Sequence, residues 1–387
     1  LPLTYTRPVA EIKVGALSIK EKWMYWMGDK VSYITQDYLA DKYPINIEDN
    51  NIIINATYLP NDRLVRLIQQ LSENEALLNG DDMIAAKLDR SQFDRLVKDD
   101  PIKELEGINI EKETAILNRM ERPVDVLQAL RTEIEKDYTI LTKGRRSEKI
   151  PDYVQVNEPK NLFIEKGAKL APCFLNCATG PIYIGRNAEI MEGAMVRGPF
   201  SLGENSILKM GAKVYGPTSI GAWCKLGGEV NASLLFSYSN KGHDGYLGDS
   251  ILGEWCNLGA DTNNSNLKNN YAEVKLWNYQ SERFEKTGTQ FCGLIMGDHA
   301  KCGINTMFNT GTVVGVFANI YGSGFPRNFV PSFAWGGNSG FQSYSFRKAL
   351  ETAELVMIRR KQSLSEEDRK ILGHIFHNSA RYRVWEP

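Results

Sequence analysis

The chain has 387 residues, with 46 Lys and Arg against 47 Asp and Glu and a formal charge of −1 near neutrality. That balance, with no basic tract, excludes nonspecific nucleic-acid binding through an electrostatic footprint. No apolar run approaches the roughly 18 residues of a membrane span, and no charged-then-apolar leader precedes a cleavage site, so a cytoplasmic protein without membrane partners is expected.

Length predicts two or three folded units, and glycine divides the chain sharply. Five of the 33 glycines lie in residues 1–150 and 27 in 161–340. The first part carries an amphipathic segment at Ile19 to Met27, a strand-like run at Ile52 to Ile54, and helix-like stretches at Arg63 to Leu71 and Val124 to Ile134. An α/β domain over 1–150 is the expectation. The polar stretch from Ile150 to Lys160, with two prolines, fits a boundary or linker.

A period of six then takes over. Ile184, Ile190, Val196, Leu202, Leu208, Val214, Ile220 and Leu226 are eight consecutive aliphatic positions six apart, and the period returns at Leu252 and Leu258 and from Met296 to Ile320. This is the hexapeptide signature of a parallel β-helix, predicted over 155–335, with each aliphatic residue inside a prism and small residues at the corners. Cys224, Cys256 and Cys302 occupy repeat slots, and Cys173 and Cys177 lack a second pair or a nearby His, so all read as packing residues and no metal site is expected.

Two interruptions attract attention. Between Ala232 and Leu247 the aliphatic slots give way to a polar segment containing His243 and Tyr246. From Leu267 to Gln290 an insertion with two β-like runs, Val274 to Tyr279 and Arg283 to Glu285, is expected to project as a loop or hairpin. His299 reads as a corner residue. In a helical tail over 336–387, Ser365 and Asp368 form a capping-box pattern, and His374 and His377, three apart, have no third ligand in view. Trp335, Phe341 and Tyr344 are expected to be exposed and to seal subunit contacts.

Residues 240–266 read Asn240-Lys-Gly-His-Asp-Gly-Tyr-Leu-Gly-Asp249, then Trp255-Cys-Asn-Leu-Gly-Ala260 and Thr262-Asn-Asn-Ser-Asn266. This run resembles the acetyltransferase half of GlmU-type bifunctional enzymes, which make UDP-N-acetylglucosamine. The resemblance implies a left-handed β-helix that acetylates glucosamine-1-phosphate with acetyl-CoA, assembled as a homotrimer, after a nucleotidyltransferase-like, Rossmann-like α/β domain that uses UTP. His243 would be the general base, imidazole being the side chain suited to proton transfer near neutrality, and Glu229 would orient it. Tyr246 would contact the substrate phosphate, Asn257 and Asn266 the sugar and acetyl group, and the Ala260 N–H the thioester oxygen, with Ile304 and Gly322 also assigned to acetyl-CoA. Asn231 replaces a family lysine. Lys213 falls at an arginine position that a two-residue offset would give to Tyr215, and Lys241, Lys268 and Lys275 are substitute cations.

In the first domain Arg7-Pro8 is similar to the Lys-Pro pair that follows a nucleotidyltransferase phosphate loop, which makes Arg7 the nucleotide-binding candidate. The chain opens on Leu1 rather than Met, so an incomplete N-terminus is expected, with that loop upstream. Asn55-Ala56-Thr57 stands where the family has a magnesium aspartate, and Asp81-Asp82 follows Asn79-Gly80 as a turn. Mg²⁺ is therefore expected only if the nucleotidyl half is active. Two other classes stay open: a nucleotidyltransferase that uses the prism as a scaffold, and a non-catalytic sugar-nucleotide-binding protein.

Overall fold

Side chains six residues apart can all face one interior only if each coil makes three short straight segments joined by corners. The chain does this from Gln155 to Ser343 in a computed structural model that describes residues 1–98, 100, 105–110 and 117–386. Three sheets of ten, six and nine strands form the prism walls. Their parallel register stacks like on like: Ile190, Leu208 and Leu226 in one wall, Val196, Val214 and Val230 in the second, Leu202, Ile220 and Leu235 in the third. All nine are at most 3% exposed, and burying each such side chain contributes about 1.5–3 kcal/mol.

The corners need left-handed backbone, and two edges meet this differently. One uses Gly193, Gly211, Gly228 and Gly245, with φ between 66° and 111°. Another begins with Asn187 and Asn205 and continues with Trp223, Tyr238, Trp255, His299, Phe317 and Phe333, all with φ of 54–65°. Bulky residues are disfavoured there. Stacking offsets the cost: Tyr238 lies 4.1 Å from Trp255, His299 4.5 Å from Phe317, and Phe317 5.3 Å from Phe333. His299 is thus a corner residue and a rung of an aromatic ladder.

Several expectations change. The stretch from Ile150 to Lys160 is no linker, since Gln155–Asn157 is the first strand of the six-stranded wall and Val154 and Val156 pack on the core. The polar segment from Ala232 to Leu247 does not leave the prism. Val230 pairs with Leu247, Leu235 with Leu252, and Leu226 with Lys241, so the coil persists while its spacing shortens and the six-residue phase is lost. Lys241 occupies an aliphatic slot at 2% exposure. Asn264, paired in register with Phe308, is also buried, and its amide closes bonds to the Gly248 N–H and C=O.

The insertion forms the expected hairpin, Lys275–Asn278 against Arg283–Lys286, but it lies down rather than projecting. Trp277 stacks 4.3 Å from Phe329, and Tyr279 meets Tyr5, Phe329 and Tyr382 edge-on. Trp335, Phe341 and Tyr344 are engaged within the chain: Trp335 packs 4.4 Å from Tyr344, and Phe341 stacks on Trp385. The tail is helical at Phe346–Ile358 and Glu366–Asn378, the second opened by the Ser365/Asp368 capping box.

Contacts divide the chain into two units, one of residues 7–12 and 17–125 and the other of 1–6, 13–16 and 126–387. The smaller unit is α/β. Its mixed sheet runs Asn50–Ile54, Asp82–Asp89, Glu75–Asn79, Glu106–Asn109, antiparallel at the first two pairings and parallel at the last. Helix Ile19–Met27 is opened by a Ser18/Glu21 capping box and ended by Gly28 at φ 76°. Among the described residues no helix is long and apolar enough to cross a membrane.

Burial pushes the Lys241 ammonium down to about 8, against smaller opposing effects of Asp244, Asp261 and Cys302. Between about pH 8 and the ordinary lysine range near 10.4 the unfolded chain holds a proton that the folded one has lost, so this residue's burial cost is relieved as pH rises. Lys241→Met is expected to match or exceed the parent in thermal midpoint at pH 7, with that advantage shrinking toward pH 10. Calorimetry across this range that shows a constant or growing gap would contradict the buried ammonium.

Candidate functional site

In regular coils the glycine-bearing corner has four residues, as between Leu208 and Lys213 or Leu258 and Asn263. Between Leu226 and Glu229 it has only two, Gly227 and Gly228. The next coil lays Gly242 to Gly245 over this shortened edge, and a Cβ on Gly228 would fall 2.8 Å from the His243 carbonyl oxygen and 2.9 Å from the Asp244 Cα. Only glycine at 228, with φ 72°, admits that approach.

His243 is therefore carried outward on the corner and is exposed. Its main chain is held from inside, where the Lys241 Nζ donates to the His243 carbonyl at 2.6 Å. Lys241 is not at the surface where a sugar phosphate would meet it. The next residue, Asp244, accepts the Asp261 N–H at 3.0 Å, which ties the corner to the following coil.

Beside this corner the six-stranded wall aligns Lys213, Glu229 and Tyr246 in one register column, with adjacent strands about 4.8 Å apart. Half-buried Tyr246 accepts at its hydroxyl from the Asn266 amide at 3.1 Å, and the same amide donates to Asp249 at 2.6 Å. Burial pushes the Tyr246 hydroxyl up, opposed by bonds to Asn231 and Asn266. Burial likewise raises the Asp249 carboxyl, and Asn266 pulls it back. Asp249 and Asn231 complete this polar cluster and were not singled out from sequence as members of it. The legible signal was the Gly227-Gly228 pair, where the hexad phase first fails.

The other candidates separate. Asn257 is exposed on the ten-stranded wall, between Asn240 and Lys301 in register. Lys268 turns to the Glu273 carbonyl at 3.0 Å within the insertion, and Lys275 begins the hairpin. Ala260 lies one coil beyond His243. Its carbonyl accepts from Asn305 at 2.8 Å, and its own N–H has no partner among the described residues. Ile304 and Gly322 line an open groove of about 500 Å³ with Asp261, Asn263 and Met307. His243, Ala260, Ile304 and Gly322 thus follow one edge of the prism.

In the smaller unit Arg7 is buried. Asn55 Oδ1 accepts from the Thr57 N–H and hydroxyl, and the Asp82 carboxylate is held by the Tyr58 hydroxyl and by Arg119 at 3.0 Å. These groups do not present the available carboxylates that Mg²⁺ takes. Among the described residues no cluster of three or more His, Cys, Asp or Glu side chains is placed to hold one.

Among curated proteins nothing matches the chain. Solved structures similar to it include a UDP-N-acetylglucosamine acyltransferase from Campylobacter jejuni, 14% identical over 58% of this chain and 95% of that one, with a TM-score of 0.30. An Arabidopsis UDP-N-acetylglucosamine acyltransferase is 17% identical over 60% and 91%, TM-score 0.23. AntD, an N-acyltransferase from Bacillus cereus in complex with dTDP and 3-hydroxybutyryl-CoA, is 14% identical over 46% and 91%, TM-score 0.25. Similarity at that level transfers neither activity nor substrate. Residues 1–146 match the model of the sugar nucleotidyl transferase family. The chain therefore joins a transferase domain of that family to a hexapeptide β-helix, an order of parts consistent with the GlmU-like bifunctional enzymes.

Proposed function

We propose that the prism transfers an acetyl group from acetyl-CoA to the amine of an amino-sugar 1-phosphate, with glucosamine-1-phosphate the favoured acceptor. The observation that carries this reading is the edge on which exposed His243 is followed by the unpartnered Ala260 N–H and then by the Ile304/Gly322 groove. The His243 imidazole takes the ammonium proton, and the amine attacks the thioester carbonyl. The Ala260 N–H donates to the oxyanion that forms, and the C–S bond breaks with the imidazolium returning a proton to the CoA sulfur while the adduct nitrogen releases its second proton to solvent. Tyr246, Asn266 and Lys213 hold the acceptor, and Glu229 orients the imidazole. Uridylyl transfer by the first domain to give UDP-N-acetylglucosamine is a second and weak activity in this reading. In the alternative reading only that domain, which carries the family match, is active and the prism is a scaffold, against which Glu229, His243 and Asn257 argue.

The six-stranded wall exposes Phe174 at 51% beside Met195 at 45%, and Tyr215 at 41% on the next strand, and we assign these apolar side chains to contact with further copies in a trimer. Light scattering is expected to give about three times the 43.6 kDa chain mass, and a stable monomer at micromolar concentration would contradict it.

His243→Ala is expected to lower acetyl transfer by about 10² to 10⁴ with the assembly and acetyl-CoA binding intact, and Glu229→Gln to cost less. Thiol release measured at pH 7.5 over a panel of amino-sugar phosphates tests this, and near-normal turnover by the His243 variant would remove it as the base.

For the nucleotidyl half, pyrophosphate release from UTP and N-acetylglucosamine-1-phosphate is expected to be weak, because Asn55 and Asp82 are engaged as described. Robust Mg²⁺-dependent turnover would show that another carboxylate holds the metal.

A further inference from the structure

Four cations meet on the ten-stranded wall beside the His243 corner. Lys225 opens the strand Lys225–Leu226 and faces outward because Leu226 faces inward. Lys209 follows the inward Leu208 one coil earlier. Both stems run along the corner glycines: a Cβ on Gly227 would lie 3.3 Å from that of Lys209, and one on Gly242 3.6 Å from that of Lys225. Gly242 immediately precedes His243. Arg359 and Arg360 arrive from the tail, directly after the helix Phe346–Ile358. The attraction of cations to a helix C-terminus accounts for part of their placement. Arg360 nonetheless reaches away from its helix and donates to Asn240 Oδ1 at 3.4 Å, and Asn240 is the register neighbour of Lys225.

No carboxylate among the described residues forms an ion pair with any of the four. Glu189 lies two rungs from Lys225 in the same column, with Ile207 between them, and the nearby charge of Glu254 is accompanied by that of Lys13. Lys225 is held below the usual lysine range by its burial and by Arg360, Lys209 and Arg359. Like charges gathered without an ion-paired counter-ion, Lys209, Lys225 and Arg360 half-buried and Arg359 exposed, repel one another, and a fork of arginine with flanking lysines suits the oxygens of a phosphate.

We propose that Lys209, Lys225, Arg359 and Arg360, with Asn240, form a binding site for a phosphate or diphosphate group of a substrate that reaches the His243 corner. This rests on the acyl-transfer reading for its substrates, which offer that chemistry from two sources, the phosphates of coenzyme A and the phosphate of the acceptor sugar. The site lies on a different wall from the Lys213, Glu229 and Tyr246 column and is built by prism and tail together.

The test uses the full chain and the double variant Lys225→Met/Arg360→Gln, with exposed Lys348→Met as a charge control. Inorganic pyrophosphate binding, measured by calorimetry at low salt, is expected to weaken about tenfold or more in the double variant and to stay unchanged in the control. Without ligand the double variant is expected to melt no lower than the parent, because a repulsion has been relieved. Coenzyme A and glucosamine-1-phosphate are titrated separately, and the one whose affinity falls identifies the source of the phosphate. Equal pyrophosphate affinity in parent and double variant overturns the site. Because pyrophosphate binding needs no turnover, a chain that binds it through these residues yet transfers no acetyl group would sink the proposed reaction and leave the anion site standing.

Discussion

Backbone hydrogen bonds between successive parallel strands fix the height of every inward side chain against the one in the coil before. Each slot must therefore be filled by something that can be buried there. Aliphatic residues fill most slots at no polar cost, as in the Ile190, Leu208 and Leu226 column. The next slot in that column holds Lys241. Its ammonium is acceptable inside only because the His243 carbonyl, turned inward over the shortened Gly227-Gly228 edge, receives it. One partly buried hydrogen bond thus fixes the main chain of the corner that presents His243.

The edges of the prism divide labour through the same left-handed backbone requirement. Where glycine supplies it, as at Gly228 and Gly245, coils approach closely, and the same edge, continued by Asp261 and Asn305 in that conformation, carries His243, Ala260 and the groove. Where aromatic residues supply it, their rings stack and become a surface for the tail, with Phe333 packed against Phe346 and Phe376. The tail returns over the wall as far as Asn240. That return puts arginines from residues 359 and 360 next to lysines more than 130 positions earlier.

The sequence by itself determined the architecture of the prism, because a six-residue repeat of aliphatic residues has one efficient way to bury itself, and it determined His243 and Tyr246 as candidates, since polar residues there break a pattern that packing would have kept. Helix Ile19–Met27 and the tail capping box were legible for the same reason, being set by neighbours three or four residues apart. Tertiary structure alone decided the rest. Whether Lys241 points in or out depends on a coil three residues shorter than the one before, two lost at the Gly227-Gly228 corner and one between Val230 and Leu235. The hairpin lies flat because Phe329 and Tyr382, distant in sequence, complete its apolar face. The convergence of Lys225 with Arg360 depends on where a helix ends in space. Local periodicity reports only what near neighbours impose, and these three outcomes are imposed by partners far along the chain.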